Sequence, residues 1–329
     1  MSSKRMLFVG GTGKISSACV ARAVKLGHQV TVLNRGQVQS RPLPEGVERI
    51  VGDIRSPGAV AEALGSRTFD AVAEFVAYRP EQVASDIELF GGRTGQYVFI
   101  SSASAYQTPP ARLPVTESTP LRNPLWQYAR DKIACEDLLV HAYRDHDFPA
   151  TIVRPSHTYD RTMLPTMGRW TDIARLRTGR PAIVHGDGTS LWTLTHHADF
   201  AVAFVGLLGR PEAIGDSFHI TSDQAPTWNQ IYTWLAEAAG AEPRLVHVPS
   251  ELIAAVRPDL GDGLLGDKAH SMVFDNRKVK ALVPGFQAGI PFSDGAHEII
   301  EWYDAHPEAQ AFDVELDAAF DRMATAVTA

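Results

Sequence analysis

The sequence has few of the features that direct a protein to an oxidising compartment, a membrane or a nucleic acid. Its two cysteines, Cys19 and Cys135, fall in predicted helices and show neither disulfide nor metal-ligand spacing. No apolar run is long enough for a membrane span or a signal peptide. No long basic run offsets the net charge of -7, which argues against nucleic acid or an anionic membrane as the main partner. The sequence therefore predicts a reduced, cytoplasmic setting without a metal, nucleic-acid or membrane partner.

The composition is that of an ordinary globular protein, with 44% hydrophobic and 21% charged residues. In the first half, short apolar runs alternate with helical patterns, which is typical of a parallel sheet covered on both faces. We predict strands at 6–9, 29–33, 48–51, 71–75, 97–100 and 150–153, with helices near 15–26, 57–64, 80–89 and 125–143. This order predicts an α/β fold with a doubly wound parallel (Rossmann) sheet.

The pattern changes after about residue 155. Turn residues dominate 155–176, and glycine and threonine are frequent in 181–195. A helix at 198–208 and a strand at 217–220 follow, then a capping box that opens a helix at Thr227, a helix capped by Ser250, a helix at 292–303 and a final amphipathic helix from about Phe312. We predict a dinucleotide-binding domain at 1–155, with contributions from about 196–221. Residues 156–195 and 222–329 are predicted to form a smaller, mixed substrate-binding lobe at the carboxyl edge of the sheet.

A glycine turn follows the first predicted strand, in the sequence Gly10-Gly11-Thr12-Gly13. Gly10 and Gly13 occupy the first two positions of a G-x-x-G-x-x-G pattern, and Ser16 occupies the third. Such glycines let the backbone approach a pyrophosphate at a helix N-terminus. A plain strand-to-helix turn is the alternative interpretation. The position at the start of a βαβ unit favours cofactor binding.

Tyr128 and Lys132 lie four residues apart, on one face of a predicted helix. A tyrosine can act as acid or base if a neighbouring ammonium lowers its pKa. Lys132 is predicted to bind the nicotinamide ribose and to stabilise the tyrosinate. Ser102, just after the fifth strand, is placed to hydrogen-bond the substrate oxygen. The alternatives are a surface helical pair and a serine that caps a turn. Together with the glycine turn, the three residues indicate a hydride-transfer site.

The end of the second strand carries information about the cofactor. An acidic residue there would bind the ribose hydroxyls of NAD and repel a 2′-phosphate, and none is present in 33–36. Arg35 is able to pair with that phosphate or to stack on adenine, unless it is simply a solvated loop residue. The sequence therefore favours NADP over NAD. Asp53 is placed to accept from the adenine amino group, and residues 75–78 are predicted to border the ribose.

The predicted cofactor-binding residues are Gly10, Thr12, Gly13, Lys14, Ile15, Asn34, Arg35, Asp53, Ile54, Phe75, Ala77, Ser101, Tyr128, Lys132 and Pro155. The predicted substrate-binding residues are Tyr78, Ser104, His157 and Trp192.

Several of these residues also carry a family resemblance. They are Gly10 to Gly13, Gly52-Asp53, Ser101-Ser102 with Tyr106, the Tyr128-x-x-x-Lys132 pair, Arg154-Pro155 and the segment 187–199. In them the chain resembles the extended short-chain dehydrogenase/reductase family, in its NAD-dependent epimerase/dehydratase branch. The resemblance implies a seven-stranded parallel sheet, a C-terminal substrate lobe, and Ser102, Tyr128 and Lys132 as the catalytic set. Members commonly oxidise a sugar carbon transiently and then epimerise, dehydrate or reduce it. Many act on nucleotide-diphosphate sugars, and many are dimers, so a homodimer is expected.

Two residues depart from the family pattern. His157 stands where members carry an asparagine, and Trp192 stands where an arginine typically grips the diphosphate. A tryptophan cannot neutralise a diphosphate but stacks on a sugar face or a base. We therefore predict a substrate less charged than UDP-glucose, namely a free or singly phosphorylated sugar, a glycoside or a nucleoside-like compound. Arg154, Arg161 or Arg169 are the alternative phosphate ligands.

Two functions follow from the sequence. The first is an NAD(P)-dependent oxidoreductase or epimerase that acts on a sugar, a sugar nucleotide or a related polyol. The alternative is a cofactor-binding protein recruited to bind RNA or to scaffold a complex, because the ending at 33–36 also resembles a branch that includes chloroplast stem-loop RNA-binding proteins. The intact Ser102, Tyr128 and Lys132 set and the acidic charge favour the enzyme. The sequence does not separate an epimerase or dehydratase from a net reductase.

Overall fold

A computed structural model describes residues 3–37 and 41–328. In chain order, the strands are β1 (Arg5–Val9), β2 (Gln29–Asn34), β3 (Glu48–Val51), β4 (Ala71–Glu74), β5 (Tyr97–Ile100), β6 (Ala150–Pro155), β7 (His157–Tyr159), β8 (Ala182–His185), β9 (Leu194–His196), β10 (Ser217–Ile220) and β11 (Leu245–Val248). The helices are α1 (Ser16–Lys25), α2 (Pro57–Leu64), α3 (Pro80–Phe90), α4 (Gln127–His146), α5 (Trp170–Arg177), α6 (His197–Leu207), α7 (Trp228–Ala238), α8 (Ser250–Val256), α9 (Pro258–Gly263), α10 (Arg277–Leu282), α11 (Phe292–Ala305) and α12 (Val314–Thr328).

Seven strands form one parallel sheet in the order β10-β6-β5-β4-β1-β2-β3. The central strands β1 and β5 are almost entirely apolar because helices cover both faces of the sheet. In β1, Met6 and Phe8 pack with α1 and α6 on one face, whereas Leu7 and Val9 pack with α2, α3 and α4 on the other. This arrangement confirms the predicted doubly wound α/β fold.

The later residues form smaller structures beside the carboxyl edge of the sheet. β8 pairs with β11, and β7 pairs with β9, both in parallel. A separate apolar core contains Trp170, Trp228, Tyr232 and Phe292, contributed by α5, α7 and α11. The domain division predicted from the sequence places its lobe in this region.

Local sequence signals were weakest in this lobe. The short strands β7, β8, β9 and β11 were not predicted, because elements of three or four residues show no clear periodicity. The helices α5, α9 and α10, of six to eight residues, were not predicted either, because they are shorter than the window in which a helical period is recognised. Ser250, predicted to cap a helix, is instead the first residue of α8, with Pro249 at the capping position.

Within the described part of the chain, no helix is both long enough and apolar enough to cross a membrane.

The sheet brings four loops together at its carboxyl edge. The glycine turn follows β1, residues 75–78 follow β4, Ser101 and Ser102 follow β5, and Ser156 follows β6. The helix α4 packs against α3 and β6 and carries Tyr128 and Lys132 to the same edge. Parallel strands place all these residues around one crevice.

Candidate active site

The glycine turn is shaped so that a side chain cannot enter it. Gly10 has φ +83°, and a Cβ there would lie 2.5 Å from Val76 Cγ1. The Ser16 hydroxyl donates to the Gly10 carbonyl oxygen at 2.6 Å and accepts from the Gly13 amide at 2.8 Å. Ser16 therefore closes the turn from inside. Its presence at the third position of the glycine pattern is compatible with a tight phosphate-binding loop.

Two adjoining cavities of about 410 and 390 Å³ run along the carboxyl edge from the end of β2 to Lys132. All predicted cofactor residues except Ala77 line one or both of them. Gly10, Gly13, Val76 and Tyr78 border both cavities, which therefore form one groove. The bare glycine backbone lies at its centre. The residues present fit an extended dinucleotide whose pyrophosphate rests on the turn.

Lys132 is fixed at the inner end of this groove. The residue is 1% exposed, and its ammonium donates to Ala77 O at 2.8 Å and to Ile100 O at 2.7 Å. Ala77 thus contributes its carbonyl rather than a groove surface. Burial lowers the pKa of Lys132 to about 8. The ammonium lies 4.8 Å from the Tyr78 ring centroid and 5.9 Å from that of Tyr128.

Tyr128 is half-buried and packs against Trp126, with the two ring centroids 4.9 Å apart. Burial raises the pKa of Tyr128 to about 12, and the Ser102 hydroxyl opposes this only in part. Sequence reasoning made its acid-base role conditional on a neighbouring ammonium that lowers this pKa. In the structure the net shift of this pKa is upward, with burial as its largest cause, so Tyr128 carries its proton at neutral pH.

Ser102 has two functions in the structure. Its hydroxyl caps the short turn Ala103–Ala105 by accepting from the Ser104 amide at 3.2 Å, and it lies 2.8 Å from the Ser104 hydroxyl. It also lines both the groove and a third cavity of about 300 Å³. Tyr128 lines the same two spaces. The predicted Ser102, Tyr128 and Lys132 set therefore meets where the groove joins this third cavity, which we call the substrate cavity.

Three of the four predicted substrate-binding residues, Ser104, His157 and Trp192, line the substrate cavity. Tyr78, the fourth, lies instead along the dinucleotide groove. The position of Tyr78 follows from its place just after β4, close to the glycine turn. The remaining lining is largely aromatic and aliphatic, from Ala103, Trp126, Pro155, Met272 and Phe274, with Ser156, Thr193, Asp267 and Lys268 as further polar groups.

Trp192 fixes the protonation state of His157. The indole N–H donates to His157 Nδ1 at 3.1 Å, and Trp192 is stacked on Trp228 with the centroids 5.5 Å apart. An imidazole nitrogen that accepts a hydrogen bond carries no proton, so the proton of His157 resides on Nε2. Burial and the charges of Lys268 and Lys14 lower the pKa of His157 to about 3. His157 is thus a neutral hydrogen-bond donor.

Lys268 and Asp267 line the substrate cavity but were not predicted from the sequence. The Lys268 ammonium lies 5.5 Å from the Trp126 ring centroid and 5.7 Å from that of Trp192, within cation–π range. Its carbonyl accepts from the indole N–H of Trp228 at 3.2 Å. Both residues belong to a π-helical turn at Leu264–Lys268, a type of turn frequent at functional sites. Trp126 was likewise not predicted to line the substrate cavity. Its position two residues before Tyr128 in the sequence could have indicated that it does.

The three candidate phosphate-binding arginines occupy different environments. Arg154 is buried against Glu136, with Nε 3.0 and 3.1 Å from the two carboxylate oxygens. Arg161 is exposed and lines neither the substrate cavity nor the cavity beside it that Arg169 borders. Arg169, at φ +50°, lines a cavity of about 480 Å³ together with Lys14. This second chamber shares Trp126, His157 and Lys268 with the substrate cavity.

A buried polar network supports the site from behind. The Ser101 hydroxyl donates to Glu136, one helical turn after Lys132. Arg154 binds Glu136 and also donates to the Tyr106 hydroxyl at 3.1 Å. Ser101 was predicted to bind the cofactor, and it borders the groove, but its hydroxyl is engaged by Glu136.

Across the residues that the structure describes, no group of three or more His, Cys, Asp or Glu side chains is arranged to hold a metal ion.

The parallel sheet, the glycine turn and the adjoining substrate cavity are those of a nucleotide-dependent oxidoreductase of the Rossmann type. The model of the NAD dependent epimerase/dehydratase family matches residues 6–221, so the chain belongs to that family. The prediction of an NAD(P)-dependent enzyme of this branch is thereby confirmed, although the match does not distinguish NAD from NADP.

Three similar proteins illustrate the range of the family. The chain is 29% identical to 2′-dehydrokanamycin reductase from Streptomyces kanamyceticus over 288 residues, which cover 86% of this chain and 80% of the relative. It is 28% identical to the chloroplast stem-loop binding protein of 41 kDa b from Arabidopsis thaliana over 259 residues, covering 75% of this chain and 66% of the relative. The solved structure of an epimerase from Methanothermobacter thermautotrophicus superposes with a TM-score of 0.77 at 17% identity, over 94% of each chain. At that identity the likeness concerns the fold.

Proposed function

We propose that the protein is an NADP-preferring reductase that converts a ketone on a sugar or sugar-like ring to an alcohol. The observation that supports the proposal most is the position of Ser102 and Tyr128, which line both the groove and the substrate cavity, beside Lys132 at the inner end of the groove. Burial keeps this tyrosine protonated where the groove meets the substrate cavity. A tyrosine with a pKa of about 12 is suited to give a proton to a developing alkoxide.

A nicotinamide cofactor held along the groove by the glycine turn and Lys132 would supply the hydride for the carbonyl carbon. Ser102 and Tyr128 hold the carbonyl oxygen by their hydroxyl groups, and Tyr128 transfers its phenolic proton to that oxygen as the carbon–oxygen double bond becomes a single bond. The Lys132 ammonium, held by two carbonyl oxygens, stabilises the resulting tyrosinate. Tyr128 then regains its proton from water, so one hydride and one proton are added per alcohol formed.

The substrate cavity suits a ring with apolar faces and few charges. Trp126, Trp192 and Phe274 offer flat apolar surfaces, on which the C–H faces of a sugar pack well. The Nε2–H group of His157 donates to a ring hydroxyl. The second chamber, with Lys14, Arg169 and Lys268, accommodates a further polar or singly phosphorylated substituent. A reductase among the relatives, active on 2′-dehydrokanamycin by its name, supports the direction of the reaction.

The preference for NADP is supported by the end of β2. Asn34 and Arg35 line the outer cavity of the groove, at the position where an acidic residue would select NAD. Arg35 is exposed at this point and, among residues 3–37 and 41–328, forms no ion pair that a phosphate would have to displace.

The test is to identify the cofactor carried by the protein as purified, by absorbance and mass spectrometry, and then to follow NADPH oxidation with a panel of keto-sugars and keto-glycosides. A reductase releases its cofactor each turnover, so we expect exchangeable NADP and net oxidation of NADPH. Tightly held NAD, together with interconversion of epimers and no net oxidation, contradicts the proposal.

A further inference from the structure

Glu74, the last residue of β4, is a fully buried carboxylate just before the segment 75–78 that borders the dinucleotide groove. Its oxygen Oε1 accepts from the Val76 amide at 2.5 Å. Its oxygen Oε2 has no donor among residues 3–37 and 41–328. A buried polar atom without a partner is costly, so we expect Oε2 to carry a proton and to act as a donor itself.

Asp86, on α3, supplies the acceptor for that proton. It is 1% exposed and lies within hydrogen-bonding reach of Glu74, and its Oδ2 accepts from the Tyr97 hydroxyl at 2.7 Å. Burial raises the pKa of Asp86 to about 6 and raises that of Glu74 further, with the Asp86 charge as the second cause. Two adjoining carboxylates in an apolar core do not both ionise. Glu74 and Asp86, which we call the acid pair, therefore hold one proton and one negative charge at neutral pH.

This negative charge and the charge of Lys132 complement each other. In the part of the chain that the structure describes, neither member of the acid pair has a cation within 4.0 Å, and Lys132 has no carboxylate within that distance. The carboxylates whose charges act on Lys132 are those of Glu74 and Glu136. Glu136 is already neutralised by Arg154. The acid pair is thus the negative charge left to balance the buried ammonium.

The acid pair and Lys132 also hold adjacent residues of one segment. Glu74 binds the Val76 amide, and Lys132 binds the carbonyl oxygen of Ala77, the next residue, at 2.8 Å. The remaining titratable groups that face the acid pair are Arg55, Tyr78, Tyr97 and Cys135. Burial raises the pKa of both tyrosines and of the thiol, so all three are neutral at pH 7. Arg55 is exposed, and water screens its charge.

We propose that the acid pair is the counter-charge of Lys132, and that Glu74 and Asp86 are positioning residues which keep this ammonium charged for its contacts with the cofactor and Tyr128. Because the pair shares one proton, either acid alone is able to supply the negative charge. The functional consequence rests on the role given to Lys132 in the proposed reduction.

The test is a pH titration of Lys132 by NMR, in protein labelled with ¹³C at the lysine Cε atoms. The chain has only seven lysines, and the Lys132 signal is assigned by its absence from Lys132→Met. The proteins are the wild type, Glu74→Gln, Asp86→Asn, the double variant and the control Glu88→Gln, which changes an exposed carboxylate on α3. The amides keep the size and the acceptor oxygens of the acids. Thermal melts establish that each variant is folded.

We expect the Lys132 midpoint to fall by about one pH unit or more in the double variant, as for loss of one nearby opposite charge. Each single variant retains one carboxylate, so its midpoint should stay close to that of the wild type, as should that of Glu88→Gln. The alkaline limb of the kcat profile for NADPH-dependent reduction should move with the NMR midpoint. A merely structural role of the two acids would move neither.

Infrared difference spectra at pH 8 provide a measurement that does not need the double variant. The wild type minus Glu74→Gln should show the C=O band of one protonated carboxylic acid, and its absence overturns the shared proton. An unchanged Lys132 midpoint in a folded double variant overturns the counter-charge, and so does a single variant that shifts the midpoint as far as the double variant does. The NMR titration needs no cofactor or substrate. A shifted midpoint in an enzyme that does not oxidise NADPH therefore refutes the proposed reduction and leaves the counter-charge intact.

Discussion

Replacing Tyr128 by phenylalanine separates chemistry from structure. The phenylalanine ring retains the packing against Trp126, whose centroid is 4.9 Å away. The only group lost is a hydroxyl that interacts with Ser102, so we expect the stability to change by about 1 kcal/mol or less. Lys132 keeps both of its carbonyl partners, and cofactor affinity should therefore be unchanged. The transferable proton is gone, and general acid catalysis is worth about 100- to 10,000-fold.

The assay is steady-state reduction of the substrate, with kcat and KM measured separately, alongside calorimetric cofactor binding and thermal melting. Tyr143→Phe is the matched control, because Tyr143 lies on the same helix, α4, and is 39% exposed. We expect the loss in kcat for Tyr128→Phe only. If Tyr128→Phe retains more than about a tenth of the wild-type kcat, the effect is smaller than general acid catalysis requires, and Tyr128 is not the proton donor.

Three further variants probe the surroundings of the site. Lys132→Met removes an ammonium whose pKa burial lowers from 10.5 to about 8. The free-energy cost of burying this charge is full below pH 8 and disappears as the pH rises to 10.5. Any stability advantage of the variant over the wild type should therefore shrink in thermal melts from pH 7 to pH 10. A constant difference contradicts this. Trp192→Phe keeps an aromatic ring on Trp228 but removes the hydrogen bond to His157 Nδ1. The KM for the substrate should rise several-fold in steady-state assays, and the free energy of unfolding should fall by about 1 kcal/mol. An unchanged KM shows that the tautomer of His157 does not affect substrate binding. Glu136→Gln leaves the Arg154 charge buried without its partner and should cost about 3–5 kcal/mol in urea unfolding, whereas the exposed neighbour change Asp137→Asn should cost little.

The parts of the site that follow from local chain geometry were predictable. A strand followed by a glycine turn and a helix puts Gly10 at the carboxyl edge, whatever the rest of the chain does. The four-residue spacing of Tyr128 and Lys132 fixes their common face of α4 in the same way. The order of apolar runs was sufficient for the doubly wound sheet. These features depend on residues close in sequence.

The parts that depend on distant contacts were not predictable. Lys268 reaches the substrate cavity only because the turn at Leu264–Lys268 packs against Trp126 and Trp228. Glu74 meets Asp86 through the packing of α3 on the sheet, which no local pattern specifies. The pKa of Tyr128 is set mainly by burial, and the sequence showed the nearby lysine but not the depth of the site.

The central claim, net reduction of a sugar-like ketone, is tested most directly by isotope transfer. The protein is incubated with NADPH deuterated at the transferable position and with the ketone that gives the highest rate, and the products are analysed by mass spectrometry and NMR. We expect an alcohol with deuterium on the former carbonyl carbon, and one NADP released per alcohol formed. Epimerised product without deuterium, formed while the NADPH remains unconsumed, would contradict the claim.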